Sequence, residues 1–288
     1  MTNITNEKKK LLKTYAKKYC NLGDPSKCEK VPCTCLLAAE YRAFLNMTVP
    51  DGFRDFTIRD FVGTLKNGSR IDPEIAVAAK KKLFQYCWGD VKKLDRLSMI
   101  SDSDLDKMSI MPQRMERGHN VVIHGDPIRQ ISNAADGQGR VIKRLPMGRT
   151  FIASIITREV IKLRLSTNCS KYTMANYEWI EFNSLLSSLT DYKDETDHLE
   201  TCDWLVVDNI PESILGSSNA QKSFLQGHID SFFDSRISGK RPTIFVFRFD
   251  VEKRMTEVED LLGVSVCKTI EDPNTCLISL TQRRKDSE

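Results

Sequence analysis

The chain has 288 residues, 40 % of them apolar, and a formal charge of +4. That length suffices for one large domain and a smaller one. No apolar run is long enough to span a bilayer, and the opening MTNITNEKKK lacks the apolar stretch of a secretory signal, so a soluble, cytoplasmic protein without membrane partners is expected. The charge is unevenly spread. Lysines at 8, 9, 10, 13, 17 and 18 crowd the N-terminus, and Arg140, Lys143, Arg144 and Arg149 crowd one central loop. Such clusters suit phosphate-bearing ligands, either nucleotide or nucleic acid; a solvated surface is the competing reading of the N-terminal lysines.

In chain order, Asn6 to Tyr19 reads as a short basic helix. The next stretch, YCNLGDPSKCEKVPCTC, holds Cys20, Cys28, Cys33 and Cys35 within sixteen residues. Four thiolates that close can hold a tetrahedral zinc ion, and Gly23, Pro25 and Pro32 suit a loop wrapped round a metal. An iron–sulfur cluster also takes four thiolates, and free cysteines in a loop are the plain alternative. The total of nine cysteines is odd, which argues against a disulfide framework. LLAAEYRAFLNM (Leu36 to Met47) has helical spacing. Pro50, Asp51 and Gly52 form a turn, after which Phe53, Phe56, Ile58 and Phe61 can anchor the segment on a core. DPEIAVAAKKKLFQYCWG predicts a helix with Asp72 as cap, Pro73 at its first position and Gly89 after its end; Ile75, Ala79, Leu83 and Tyr86 share one face, and Cys87 either packs there or serves as a fourth metal ligand.

From about Met99 strands alternate with helices. Strands are expected at Asn120–Gly125, Lys171–Tyr177, Asp203–Ile210, Arg241–Phe249 and in TCLISL. Helices are expected in GRTFIASIITREVIKLRL, YEWIEFNSLLSSLT, AQKSFLQGHIDSFFDSRISGK and VEKRMTEVEDLLG. This alternation predicts an α/β fold with a parallel sheet flanked by helices, over residues 96–288. A small, mainly α N-terminal domain carrying the four-cysteine loop is expected over residues 1–95.

The chemistry gathers at three places. A strand leads to Gly125, and Gly148-Arg149-Thr150 opens a helix as Gly-Lys-Ser/Thr does in a phosphate-binding loop. The strand DWLVVDNI ends on an acid, Asp208, and a further buried strand ends at Arg248. Backbone N–H groups at a helix N-terminus hold phosphate oxygens, which makes Gly125, Gly148, Arg149, Thr150 and Phe151 the candidate nucleotide contacts. A threonine hydroxyl and a strand-end acid serve a magnesium ion, which gives Asp208 its candidate catalytic role.

In this order, MERGHNVVIHG, GRTFIASII, CDWLVVDNI and GKRPTIFVF resemble the AAA+ helicase loaders of the DnaC type and the related IstB transposition ATPases, over roughly Met99 to Leu280. VPDGFRDFTIRDF is similar to the segment preceding the ATPase core in such loaders, and the cysteine cluster resembles their N-terminal metal-binding module. The resemblance implies an AAA+ P-loop-type domain that binds ATP with Mg²⁺. It also implies that the N-terminal part grips a hexameric replicative helicase. The domains of several copies would assemble into a homo-oligomeric spiral that places the ring on single-stranded DNA. A phage or mobile-element origin fits so divergent a loader.

The sequence departs from that pattern in the loop itself and at four catalytic positions. Twenty-two residues separate Gly125 from Gly148, and Lys143 stands where the first loop glycine belongs. Arg149 replaces the lysine, keeping charge but changing reach. Asn209 stands where these loaders carry a second acid, and asparagine cannot act as a general base, an effect of about 10²–10⁴-fold. The strand-end sensor position falls on Phe247 or Arg248, and Lys268 is the basic residue nearest the place of the family's arginine-bearing helix. A degenerate ATP site that binds nucleotide weakly or not at all is therefore expected. The candidate DNA contacts are Arg140, Lys143, Arg144 and Arg248, with Lys240 and Arg241 beside them. Two other functions compete: a non-hydrolysing adaptor in a DNA-processing complex, and a transposition-type ATPase assembling on duplex DNA.

Overall fold

The computed structural model describes residues 34–61, 73–125, 148–163, 176–191, 193–212 and 219–281. Within these, short runs rich in β-branched and aromatic residues form β1 (Val121–His124), β2 (Tyr177–Glu181), β3 (Trp204–Ile210), β4 (Thr243–Phe247) and β5 (Cys276–Ser279). They pair in parallel in the order β2-β3-β4-β1-β5. All residues of β1 and β4 are buried, as strands covered on both faces must be.

The ten α-helices among the described residues are α1 (Thr34–Thr48), α2 (Pro73–Trp88), α3 (Asp102–Lys107), α4 (Met111–Arg117), α5 (Arg149–Lys162), α6 (Phe182–Asp191), α7 (Lys193–Thr201), α8 (Asn219–Ser238), α9 (Met255–Leu262) and α10 (Val264–Glu271). Successive strand residues point to opposite faces, and the two faces build separate cores. Val121, Ile123, Val206, Ile244 and Val246 face α1, α2, α4 and α5. Val122, Leu205, Val207, Phe245 and Phe247 face α6, α8, α9 and α10. Residues 34–61 and 73–117 thus share one apolar core with the sheet. Phe44 meets Tyr177 edge-on at 5.6 Å, and Phe56 and Phe61 pack on Phe151 at 4.8 and 5.7 Å.

The structure departs from the expected elements at one edge. A helix is expected over YEWIEFNSLLSSLT, but Tyr177–Glu181 is the edge strand β2, and the helix begins only at Phe182. Tyr, Trp and Ile favour a strand, and pairing with the buried β3 outweighs the weak helical period. The short helices α3, α4, α7 and α10 have no counterpart among the expected elements, because six to nine residues carry too little periodicity to read. The basic helix at Asn6–Tyr19 and the strand residues 171–175 lie outside the described residues.

The chain runs from β1 to the edge strand β2, works inward through β3 to β4, and crosses β1 to the far edge at β5. Connections leaving in opposite directions open a crevice beyond the carboxyl ends of the strands, where α/β folds bind ligands. One side chain closes the opposite end. The guanidinium of the fully buried Arg236 donates to the carbonyls of Leu199, Cys202 and Pro242 at 2.6, 3.0 and 3.0 Å. Among the described residues no helix is long and apolar enough to cross a membrane.

Candidate nucleotide-binding site

Gly125 follows β1 with φ of 149°, and a Cβ there would meet the Leu280 carbonyl carbon at 2.7 Å. Only glycine lets the chain leave the strand so close to β5. Gly148 re-enters with φ of 71° and opens α5, a helix start without a side-chain cap. Its carbonyl accepts from the Ile152 amide at 2.9 Å, so the amides of the first turn lack intrahelical acceptors. Such a helix start attracts anions.

The Thr150 hydroxyl, on this first turn, donates to Asp208 Oδ2 at 3.1 Å. Thr150 and Asp208, distant in sequence, therefore share one crevice. The Asn209 amide donates to Asp208 Oδ1 at 2.7 Å. Asp208 is only 3 % exposed, and burial holds its carboxyl above its ordinary value. The Asn209 amide and the Thr150 hydroxyl oppose that rise, and the Glu181 carboxylate adds to it. A hydroxyl and a buried carboxylate are hard oxygen donors that fit a magnesium ion, and a cation would relieve the cost of ionising Asp208.

Arg149 is 8 % exposed and donates through Nη1 to the Gly125 carbonyl. It clamps the end of β1 to the start of α5. An ammonium could not do this with a rigid planar fork of five donors. The Phe151 side chain lies in the core against Phe56 and Phe61, and its backbone amide belongs to the first turn of α5.

Two groups at the strand ends escaped the sequence reading. Glu181 ends β2 directly opposite Asp208 in the β2–β3 register. Its Oε1 accepts from Asn209 Nδ2 at 3.2 Å, and Asn209 Oδ1 accepts from Arg248 Nε at 3.2 Å. One asparagine thus ties together the ends of β2, β3 and β4. Its φ is 62°, at a register irregularity between Val207 and Ile210, and asparagine is among the few side chains that adopt this region readily. The second group is His124, fully buried, with Nδ1 at 3.3 Å from Asp250 and Nε2 at 3.9 Å from Glu252. These three are close enough to share an ion, but the two ring nitrogens face different acids.

Of the other candidate residues, Arg248 stands at this crevice. Arg140, Lys143, Arg144 and the thiols of Cys20, Cys28, Cys33 and Cys35 lie outside the described residues and side chains. Lys240 and Arg241 follow α8 at the opposite ends of the strands, where Arg241 donates to the Glu200 carbonyl at 2.9 Å.

No family model matches this sequence, and no curated protein does. Among solved structures the chain is similar to DnaI, with 14 % identity and a TM-score of 0.38 over 66 % of this chain and 89 % of that one. It is similar to a putative primosome component from Streptococcus pyogenes serotype M3, with 13 % identity and a TM-score of 0.38 over 83 % and 93 %. It is also similar to the DnaC helicase loader, with 18 % identity and a TM-score of 0.37 over 57 % and 80 %. Likenesses at this level fix neither a family nor an activity.

Proposed function

We propose that this chain is a replicative-helicase loader of the AAA+ type whose site binds a nucleoside triphosphate with magnesium. The observation that carries the nucleotide site is the bond between the Thr150 hydroxyl and the buried Asp208 carboxylate, at the mouth of an uncapped helix. Phosphate oxygens would lie on the first-turn amides of Arg149, Thr150 and Phe151, in the helix's positive field. Gly125 and Gly148 bring the two ends of the loop to the crevice, and Arg149 clamps them. Magnesium held by Thr150 and Asp208 would supply charge neutralisation at the phosphates. Asp208 and Thr150 orient one another, and Asn209 cannot accept a proton from water as a carboxylate would. The site thus differs from the common catalytic pattern while keeping the groups that bind.

The motif order over Met99 to Leu280 supports the loader reading. In it, residues 1–95 engage the hexameric helicase, and several copies assemble and lead single-stranded DNA past Arg140, Lys143, Arg144 and Arg248. Cys20, Cys28, Cys33 and Cys35 would hold zinc in the helicase-binding part, and the protein would work in the cytoplasm.

The test is capture of a hexameric replicative helicase by the full chain, followed by ring loading on circular single-stranded DNA. Loading that disappears in Thr150→Ala and Asp208→Asn supports the reading, and a helicase neither bound nor loaded ends it. DNA affinity that stays constant between low and high salt removes the basic-loop contacts. A protein purified without chelator and free of metal removes the zinc proposal; Cys28→Ser with Cys33→Ser is expected to release the ion.

A second reading, a non-hydrolysing adaptor, is favoured by two observations: Arg149 is engaged at the Gly125 carbonyl, and Asn209 replaces an acid. Helicase binding without any loading activity would favour it. ATP-dependent filaments on duplex DNA would instead favour a transposition-type ATPase.

A further inference from the structure

The acid missing at Asn209 has a counterpart one strand away. Glu181 ends β2 in register with Asp208, and its carboxylate accepts from the Asn209 amide group at 3.2 Å. We infer that Glu181 is the general base that activates water in this site, with Asn209 and Arg248 as positioning residues. This inference rests on the proposed nucleotide site.

Three observations carry it. The first is the division of labour between the two acids. Asp208 is buried and bonded to the Thr150 hydroxyl and a backbone amide, so it is engaged as a ligand group. Glu181 is exposed at the open side of the same strand ends, where water has access. Two adjacent carboxylates in unlike surroundings are suited to separate roles. The second is orientation. Asn209 Oδ1 accepts from Arg248 Nε, so its amide nitrogen must be the end turned to Glu181. An asparagine held in that sense is a donor that fixes one carboxylate oxygen and leaves the other for water. The third is backbone geometry. Asn209 sits at φ 62°, where a longer acidic side chain would be strained. Position 209 therefore suits a short amide, and the acid stands on the neighbouring regular strand.

The step balances without further reactants. A water oxygen attacks the γ-phosphorus of the bound nucleoside triphosphate while Glu181 takes its proton. The bond from the γ-phosphorus to the β,γ-bridging oxygen breaks, and its electron pair goes to the leaving nucleoside diphosphate. Glu181 then returns the proton to solvent.

The experiment uses the full chain with magnesium and ATP, measuring phosphate release in single turnover and affinity for a fluorescent ATP analogue. Glu181→Gln is expected to slow release by about 10²–10⁴-fold while keeping nucleotide affinity and melting temperature. Asn209→Ala is expected to slow it less and to move the acid limb of the pH–rate profile upward, because the base loses an N–H donor to its ionised form, which a merely structural tie would not do. Release at the wild-type rate in Glu181→Gln overturns the inference and leaves the site intact. A wild-type chain that binds magnesium-ATP without turning it over also overturns it. A wild-type chain that does not bind the analogue overturns the nucleotide site itself.

Discussion

Asp208 and His124 place opposite demands on pH. Burial raises the Asp208 carboxyl, with the Asn209 amide and the Thr150 hydroxyl opposing it. An acid raised in the folded state contributes stability below its unfolded pKa and loses it as pH climbs through the folded value. Ionised Asp208 therefore works against the fold at neutral pH when no cation is bound. Asp208→Asn is expected to melt higher than wild type at neutral pH and to converge with it in acid, while losing magnesium-nucleotide binding. Equal melting temperatures at all pH values would contradict the burial argument. His124 is lowered by burial, against the raising effect of Asp250 and Glu252, with Arg149 lowering it further. A base lowered in the fold contributes stability above its unfolded pKa and loses it as pH falls through the folded value. Stability should drop below about pH 6.5, and His124→Asn should flatten that part of the profile in urea titrations. Asp250 faces His124 and is itself depressed overall, its burial being outweighed by Lys253, His124 and Thr281. Its own contribution is lost at lower pH, below the range of an ordinary carboxylate, so the two can be separated.

At the scale of elements, α5 has two jobs that its sequence periodicity does not separate. Its first turn presents amides and Thr150 to the crevice, and the side chains of Phe151, Ile152, Ile155 and Ile156 fill the core beneath. Phe151 shows the coupling most directly, because Phe56 and Phe61 from the preceding segment close on its ring. Phe151→Ala should cost about 3–5 kcal/mol in denaturant titration. It should also weaken nucleotide binding, although the side chain makes no contact with the crevice. A nucleotide affinity unchanged by that substitution would separate the core from the site. The meeting of Thr150 and Asp208 is legible in residue type and order. The place of Glu181 at a strand end is not, because the stretch YEWIEFNSLLSSLT is expected to be one helix.

At the scale of the whole molecule, the helices before residue 118 cover the sheet face on which α5 lies. Ile58, Leu83 and Phe84 are at most 1 % exposed there, alongside Ile155 and Ile156. Removing residues 1–95 would uncover an apolar face, so the remaining chain should aggregate or lose its cooperative transition, as read by calorimetry and gel filtration. A fragment that melts like the full chain would show that the cover is dispensable.

Local chemistry determined much of this protein from the sequence alone: the buried strands, the glycines flanking the central loop and the order of Thr150 and Asp208. Those features depend on neighbours within a few residues, where period and turn chemistry act. Tertiary structure alone decided that β2 is a strand, that the early helices share the sheet's core, and that Glu181, Asn209 and Arg248 meet. These three come from the ends of three strands, and only sheet pairing, which no local pattern encodes, brings their side chains within hydrogen-bonding distance.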